Sequence, residues 1–583
     1  MKKTRGKFPG KTIFLSVVIC VCAVLALPAC RTENAGAGPD FALAGDLADG
    51  SILHCFSWDF RTIRLSLPDI AAAGFSAVQT SPANACLAGE DGGMDLYGHG
   101  KWYYHYQPVD WKTGNYQLGS REEFRLLCAE AERCGIRVLV DVAPNHTTPE
   151  ISAVSPGLVQ AAGGMDRLYH KGAAKRLTNY GDRLQCTTYS MGGLPDVNTE
   201  NPGFQAYFFA YLHDLIDCGA DGFRFDTAKH IGLPDDPKED DGLENDFWPN
   251  LRASLKDEGP LFLYGELLHG PNDRLADYIE AIGAVTASAY GIKLRSAVTS
   301  GRFSAATLGN FFAGGETERL VTWVESHDNY INDGNWAVMD ENDVVLGYAV
   351  AAARKGGTPL FFSRPYGSDR QNRWGSMNRI GCAGSDGYKD PRVRAVNFFR
   401  IEMAGEDEAL SEEAGGSVLV IRRGKKGAVL VNGGGEVPVD FALPLRNGEY
   451  TDRVTGARFQ VRGGRLTAET PLPAHSVTVL TGKDWTERPA QIFLAAEGEF
   501  RFPDENPLPA ILRARNAEQA FWSLDGAPPV PFTDGTQVEI PPGADGTAVL
   551  TLTASGTEGQ TSFREFVYSS VGSGGTKKTG TDG

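Results

Sequence analysis

Three carboxylates stand at or just beyond the ends of short apolar runs: Asp226 after Gly222-Phe223-Arg224-Phe225, Glu266 after Phe262-Leu263-Tyr264-Gly265, and Asp328 beyond Leu320-Val321-Thr322-Trp323-Val324. Several carboxylates in one cleft supply the acid, base and nucleophile that cleaving an acetal requires. Any one of them alone has an equal claim to be a salt-bridge partner or a helix cap. Together, and with Arg224, His146 and His327 beside them, they point to chemistry. Arg224 and Asp226 lie two positions apart, so on a strand both face one side, while Phe223 and Phe225 face the other.

Such a constellation needs a scaffold that brings distant strand ends to one rim. Ser120-Arg121-Glu122-Glu123 is a capping-box pattern, followed by Phe124, Leu127, Cys128 and Ala131 at helical spacing and a stop at Gly135. The strand expected next leads into Asn145 and His146. The unit recurs: Phe204, Tyr207, Phe208, Tyr211, Leu212 and Leu215 make an apolar helical stripe that ends near Gly219 and feeds the run holding Arg224. Strands are predicted at 52–56, 75–80, 136–142, 222–226, 261–265, 284–288, 320–324 and 359–362.

Eight strands alternating with helices predict an α/β fold, a (β/α)8 TIM barrel over residues 48–147 and 201–400. An open sheet fits less well, because polar side chains on several strand ends converge only when the sheet closes. Residues 148–200 are Gly-rich and polar with little helical period, and are predicted as an inserted domain on the catalytic face. Beyond residue 400, short strands between Gly, Pro and Asn turns predict an all-β domain at 401–484 and a β-sandwich at 485–571. A disordered tail is expected at 572–583.

The chain has 583 residues, 42% hydrophobic and 22% charged, which suits several globular domains rather than a disordered protein. Residues 1–29 read as an export signal: Lys2, Lys3, Arg5, Lys7 and Lys11 precede an apolar run closed by Pro28, Ala29 and Cys30. A membrane span is the rival reading, but the run is at the short edge of the roughly 17–25 residues a span needs. Residues 30–47 are expected to be a linker. The formal net charge is −17, and losing the cationic signal makes the chain more acidic still, which excludes nucleic acid as a partner. The cysteines are scattered without a C-x-x-C, so metal binding through sulfur is not expected, and Cys128 and Cys134 read as small buried hydrophobes.

Asp141-Val142-Ala143-Pro144-Asn145-His146, Gly222 through His230, Gly265-Glu266 and Val324-Glu325-Ser326-His327-Asp328 resemble, in order, the four signature segments of the α-amylase family, glycoside hydrolase family 13. Leu194-Pro195-Asp196-Val197-Asn198 resembles its fifth segment. Stretches 52–60, 102–108 and 361–365 are similar to the saccharifying type of bacterial α-amylase, and the likeness runs over roughly 50–570. Leu27-Pro28-Ala29-Cys30 resembles a bacterial lipoprotein cleavage box, with Pro28 atypical. That resemblance implies lipidation at Cys30 and a cell-surface anchor, with simple secretion as the alternative.

The family resemblance implies that Asp226 is the nucleophile, Glu266 the general acid and base, and Asp328 the group that stabilises the transition state. It implies that His146 and His327 bind the sugar at the cleavage point, that Tyr106 stacks on it, and that Lys229 holds the sugar on the leaving side. Trp102 and Tyr103 are further candidate platforms. A structural calcium is implied where the inserted domain meets the barrel, on Asn145, Asp196 and the His230 carbonyl, with Thr187 a weaker candidate. Chloride is not expected, because Ser326 stands where chloride-binding members have asparagine. The implied activity is retaining endo-hydrolysis of α-1,4-glucosidic bonds in starch, glycogen or maltodextrins by a monomer. The alternatives are a maltogenic amylase, a glucan transglycosylase, or a surface glycan-binding lipoprotein that has lost catalysis.

Overall fold

The computed structural model describes residues 41–570 except 89–92, 97–100, 272, 315–316, 376–377, 483–491, 500 and 558–560. The predicted signal, Cys30 and the tail lie outside the described residues. Eight parallel strands close into a barrel: β1 (Ile52–Cys55), β2 (Ala77–Thr80), β3 (Arg137–Val142), β4 (Gly222–Phe225), β5 (Phe262–Gly265), β6 (Ala284–Thr286), β7 (Leu320–Trp323) and β8 (Thr358–Phe362). Each pairs with its neighbours in sequence, and β8 closes on β1 through Ile52 opposite Leu360.

The helices that separate them are α1 (Phe60–Ala72), α2 (Arg121–Arg133), α3 (Pro202–Asp217), α4 (Phe247–Leu255), α5 (Leu275–Ile282), α6 (Ser288–Ser300), α7 (Glu341–Ala353) and α8 (Pro391–Glu402). Local chemistry sets their ends. Ser120 and Glu123 form the expected reciprocal cap on α2, with the Ser120 N–H donating to Glu123 Oε2 at 2.7 Å. Asn201 caps α3 by accepting from Gly203 and Phe204. Phe225 packs edge-on against Trp248 of α4, ring centroids 5.4 Å apart, as the strand alternation required. At Gly222 a Cβ would sit 2.0 Å from the Phe262 carbonyl oxygen, so β4 and β5 pair closely only with glycine there.

Two features were not in the sequence reading. Between β2 and α2 the chain makes a small antiparallel sheet of Asn84–Cys86, Pro108–Asn115 and Gly119–Ser120, around the 3-10 turn Trp102–Tyr106. Its register shifts on either side of Ala85, which removes the two-residue alternation that reveals a strand. Residues 41–47, expected as linker, instead pack on the barrel: Leu47 is buried, and Arg137 donates to the Ala44 carbonyl at 3.4 Å.

The 148–200 region carries the short helices Pro156–Ala161, Met165–Leu168 and Arg183–Thr188. The isolated bridge His146–Asp196 ties it to the end of β3, and the bridge Tyr169–Val197 joins two of its own segments. After α8, an eight-stranded antiparallel sheet turns one face, with Leu419, Ile421, Val429 and Val479, into the barrel's own core. A three-stranded and a five-stranded sheet then share a separate core around Leu494, Leu512, Leu550 and Tyr568. This last domain docks on the barrel through buried charges. Lys389 donates to Asp69 Oδ2 at 2.7 Å and to Ser562 at 2.8 Å, while Arg564 pairs with Asp386 and donates to the Gly384 carbonyl. Cys128 and Cys134 are buried free thiols.

Candidate active site

The ends of β3, β4 and β5 meet at one guanidinium. Asp141 sits opposite Arg224 in the β3–β4 register. Arg224 Nη1 lies 2.6 Å from Asp141 Oδ2 and 2.9 Å from Asp226 Oδ1, and its Nη2 lies 2.5 Å from Glu266 Oε1. Thr227, in the left-handed region at φ +50°, turns its N–H to Glu266 Oε2 at 3.2 Å. Beyond β7, Ser326 caps the short helix His327–Ile331, which places Asp328 in its first turn. Asp328 accepts from Asn332 Nδ2 at 2.8 Å and lies 3.7 Å from His327 Nε2. Its side chain is 22% exposed, against 7% for Asp226 and 3% for Glu266, so Asp328 is the one of the three that reaches the mouth.

One cation therefore faces Asp141, Asp226, Glu266 and, further off, Asp328. Burial raises the carboxyl pKa of Glu266; Arg224 opposes this and the Asp226 charge adds to it. Burial likewise raises Asp226 against the pull of Arg224, and Asp141 is pushed up to about 7. Arg224 thus tempers the nucleophile candidate without bringing it below the usual carboxylate range. Asp328 is raised well above that range by burial and by the charges of Glu266 and Asp226. The set shares protons as a unit rather than titrating singly. It can therefore present an ionised and a protonated carboxyl side by side, the pairing that acetal cleavage uses.

An aromatic wall closes one side. The Tyr106 ring stacks on His327 at 5.0 Å and its hydroxyl donates to Asp141 Oδ2 at 2.8 Å. Phe56 stacks on the same imidazole at 5.6 Å, and Trp102 meets it edge-on at 5.7 Å. His146 Nε2 pairs with the Tyr106 carbonyl at 2.9 Å. Burial keeps His146 neutral, its pKa lowered to about 4, and lowers His327 further with the help of Arg224. Neutral imidazoles of this kind can hydrogen-bond hydroxyl groups without adding charge.

Residues 185–340 match the model of the α-amylase catalytic domain. The chain is 46% identical over 511 residues to an α-amylase of Butyrivibrio fibrisolvens, an alignment covering 82% of this chain and 51% of that protein. It is 34% identical over 444 residues to an α-amylase of Clostridium acetobutylicum, covering 75% and 54%. The chain carries an α-amylase catalytic domain. It spans about half the length of these curated relatives. The barrel also superposes on an Anoxybacillus α-amylase, with TM-score 0.58, 20% identity, and 76% and 100% of the two chains covered. It superposes too on a mutant of α-amylase I from Eisenia fetida in complex with maltohexaose, with TM-score 0.60, 17% identity, and 74% and 97% covered. These last two likenesses concern the fold.

Within this α-amylase-like barrel, Lys229 is buried, donates to the Leu268 carbonyl at 2.9 Å and lies 3.4 Å from Asp273. Tyr103 is 38% exposed and meets the Trp102 ring edge-on at 6.1 Å. Asn145, Asp196 and His230 come together: Asn145 Nδ2 donates to Asp196 Oδ2 at 3.0 Å and to the His230 carbonyl at 3.2 Å. Thr187 is not among the groups that Asn145 gathers; its hydroxyl bonds back to the Arg183 carbonyl, and it is Cys186 whose carbonyl meets His230 Nδ1 at 2.8 Å.

Sequence reasoning missed three participants. Asp141 opens the first signature segment, and the alternation that paired Arg224 with Asp226 would have set it on the inner face too. His170 bridges Asp196 Oδ1 at 2.6 Å and Glu200 Oε2 at 2.8 Å. Burial opposes its charge, but the two carboxylates outweigh that and raise its pKa to about 10. Glu325 forms a buried two-pronged pair with Arg364, at 2.5 and 2.9 Å, beside Ser326. Nothing in the local pattern around His170 or Arg364 announces these partners, which lie 26 or more residues away.

Proposed function

We propose that the chain is a retaining, endo-acting hydrolase of α-1,4-glucans such as starch, glycogen or maltodextrins. One observation carries the reading: Arg224 touches Asp226 and Glu266 at once, so both carboxyls are held side by side at the ends of neighbouring strands, within reach of one sugar unit. Asp226 attacks the anomeric carbon, forming a carbon–oxygen bond as the glycosidic bond breaks. Glu266 gives its proton to the departing oxygen. Glu266, now a carboxylate, takes a proton from the water that attacks the same carbon and releases Asp226. Asp328 faces the positive charge that develops on the ring, and burial, which raises the Glu266 pKa, favours the acid form that the first step needs. Tyr106, His327, His146 and Trp102 make the wall on which the ring rests.

The residues also fit a structural calcium. Asp196 Oδ2 and the His230 carbonyl both converge on the Asn145 amide, whose oxygen faces them if the amide is turned end for end. Such an ion would tie the 148–200 region to β3 and the turn after β4, and it takes no part in bond cleavage. Export with a lipid on Cys30, and a monomeric state, complete the proposal; they rest on the sequence patterns described above.

The test is release of reducing ends from soluble starch by purified protein beside its Asp226→Asn variant. Activity that falls by about 10²-fold or more in the variant supports the reading. An inactive unmodified protein, or release of panose from pullulan, argues against it. Chelator treatment that leaves the melting temperature unchanged would contradict the calcium.

A further inference from the structure

Just outside the ends of β5 and β6 lies a second cavity, of about 310 Å³. His269 and Asp273, from the segment that follows Glu266, form one side. Ser288 and Lys293 of α6 form another, and Phe311 and Phe312 the third. Asp273 connects this cavity to the catalytic pit, with Oδ1 3.4 Å from Lys229 Nζ and Oδ2 3.2 Å from His269 Nδ1. We propose that the cavity binds glucose units on the leaving side of a bound α-glucan, beyond the unit at Lys229, with the Phe312 ring as the stacking platform. This rests on the hydrolase reading above.

The two phenylalanines differ in a way that core packing does not require. Phe311 is buried, 4.8 Å from the Tyr290 ring and with the Arg354 guanidinium 4.2 Å from its own ring centroid. Phe312, next in the chain, is 37% exposed and sits at φ +58°, where L side chains are seldom found. Its N–H donates to Asn310 Oδ1 at 2.7 Å, which fixes the turn that presents the ring. The position therefore forgoes both apolar burial and an easy backbone, a combination that marks ligand-contacting positions more than structural ones. Lys293 Nζ lies 5.9 Å from the ring centroid. An aromatic face beside an ammonium, an imidazole, a carboxylate and a hydroxyl is what the two sides of a pyranose ask for: apolar C–H bonds on its face and hydroxyls around its edge.

The experiment compares full-length wild type with Phe312→Gly and Phe312→Trp on maltooligosaccharides of increasing length. Glycine accepts the positive φ, so Phe312→Gly is expected to keep the melting temperature while removing the ring. The expected result is a kcat/KM about tenfold lower for Phe312→Gly on long chains, no change on maltotetraose, and wild-type behaviour in Phe312→Trp. A loss equal at every chain length, or no loss, overturns the proposal while leaving the hydrolase reading in place. A wild-type protein that cleaves no α-glucan overturns both.

Discussion

Arg224 sets the electrostatics of the pit because it is the cation that Asp141, Asp226 and Glu266 share. Replacing it with lysine keeps the charge but loses the planar fork, so Arg224→Lys is expected to lose most activity despite the conserved sign. Asp141 competes with Glu266 for the Arg224 charge, which otherwise pulls the Glu266 pKa down. Asp141→Asn should lower the Glu266 pKa, move the alkaline limb of the kcat/KM profile to lower pH, and reduce activity at neutral pH; an unmoved limb would show that Asp141 acts only by packing. The sign follows from the proposed role of Glu266 as the acid, which requires its protonated form. Much of this was legible in the sequence: strand alternation aimed Arg224 and Asp226 inward, and strand ends marked Glu266 and Asp328. Asp141 was overlooked because its neighbours in sequence are apolar and its partner Arg224 is 83 positions away.

Among elements, the tips of β7 and β8 are tied by Glu325 and Arg364. Arg364 also donates to the Met339 carbonyl at 3.0 Å and lies over the Tyr330 ring at 5.1 Å. Truncating Glu325 to alanine strands a buried guanidinium, and urea unfolding is expected to show a loss of about 3–5 kcal/mol. The same change should lower kcat, because Glu325 directly precedes Ser326, the cap that sets His327 and Asp328. The barrel strands were legible because each is a short apolar run between a helix and a polar tip. The Asn84–Cys86 and Pro108–Asn115 pair was not, since its shifted register breaks the period on which such reading depends.

For the whole molecule, the last domain is fastened to the barrel rather than trailing from it. Asp69, Asp386, Lys389 and Arg564 form a nearly dry network between the two, with Tyr366 of the segment after β8 packed edge-on against Phe566 at 5.3 Å. Burial opposes the Asp386 charge, but Arg564 and Lys389 outweigh it and hold the Asp386 pKa down. A depressed carboxyl pKa contributes stability that is present above the unfolded value of about 3.9 and lost as pH falls below it. Arg564→Ala is therefore expected to destabilise the protein at pH 7, with the gap to wild type narrowing toward pH 3. A gap independent of pH would mean that the arginine works through packing alone. Sequence composition announced the all-β C-terminal part, yet these long-range ion pairs, such as Lys389 with Asp69 across 320 positions, leave no local trace.

Whether Asp226 forms a covalent bond to sugar can be read directly. The protein is incubated with a fluorinated α-glucosyl fluoride that reacts but is released slowly, then digested and analysed by mass spectrometry. One glucosyl adduct on the peptide carrying Asp226, absent from Asp226→Asn, is the expected result. An adduct on another residue, or turnover of α-glucan with inversion at the anomeric carbon, would contradict it.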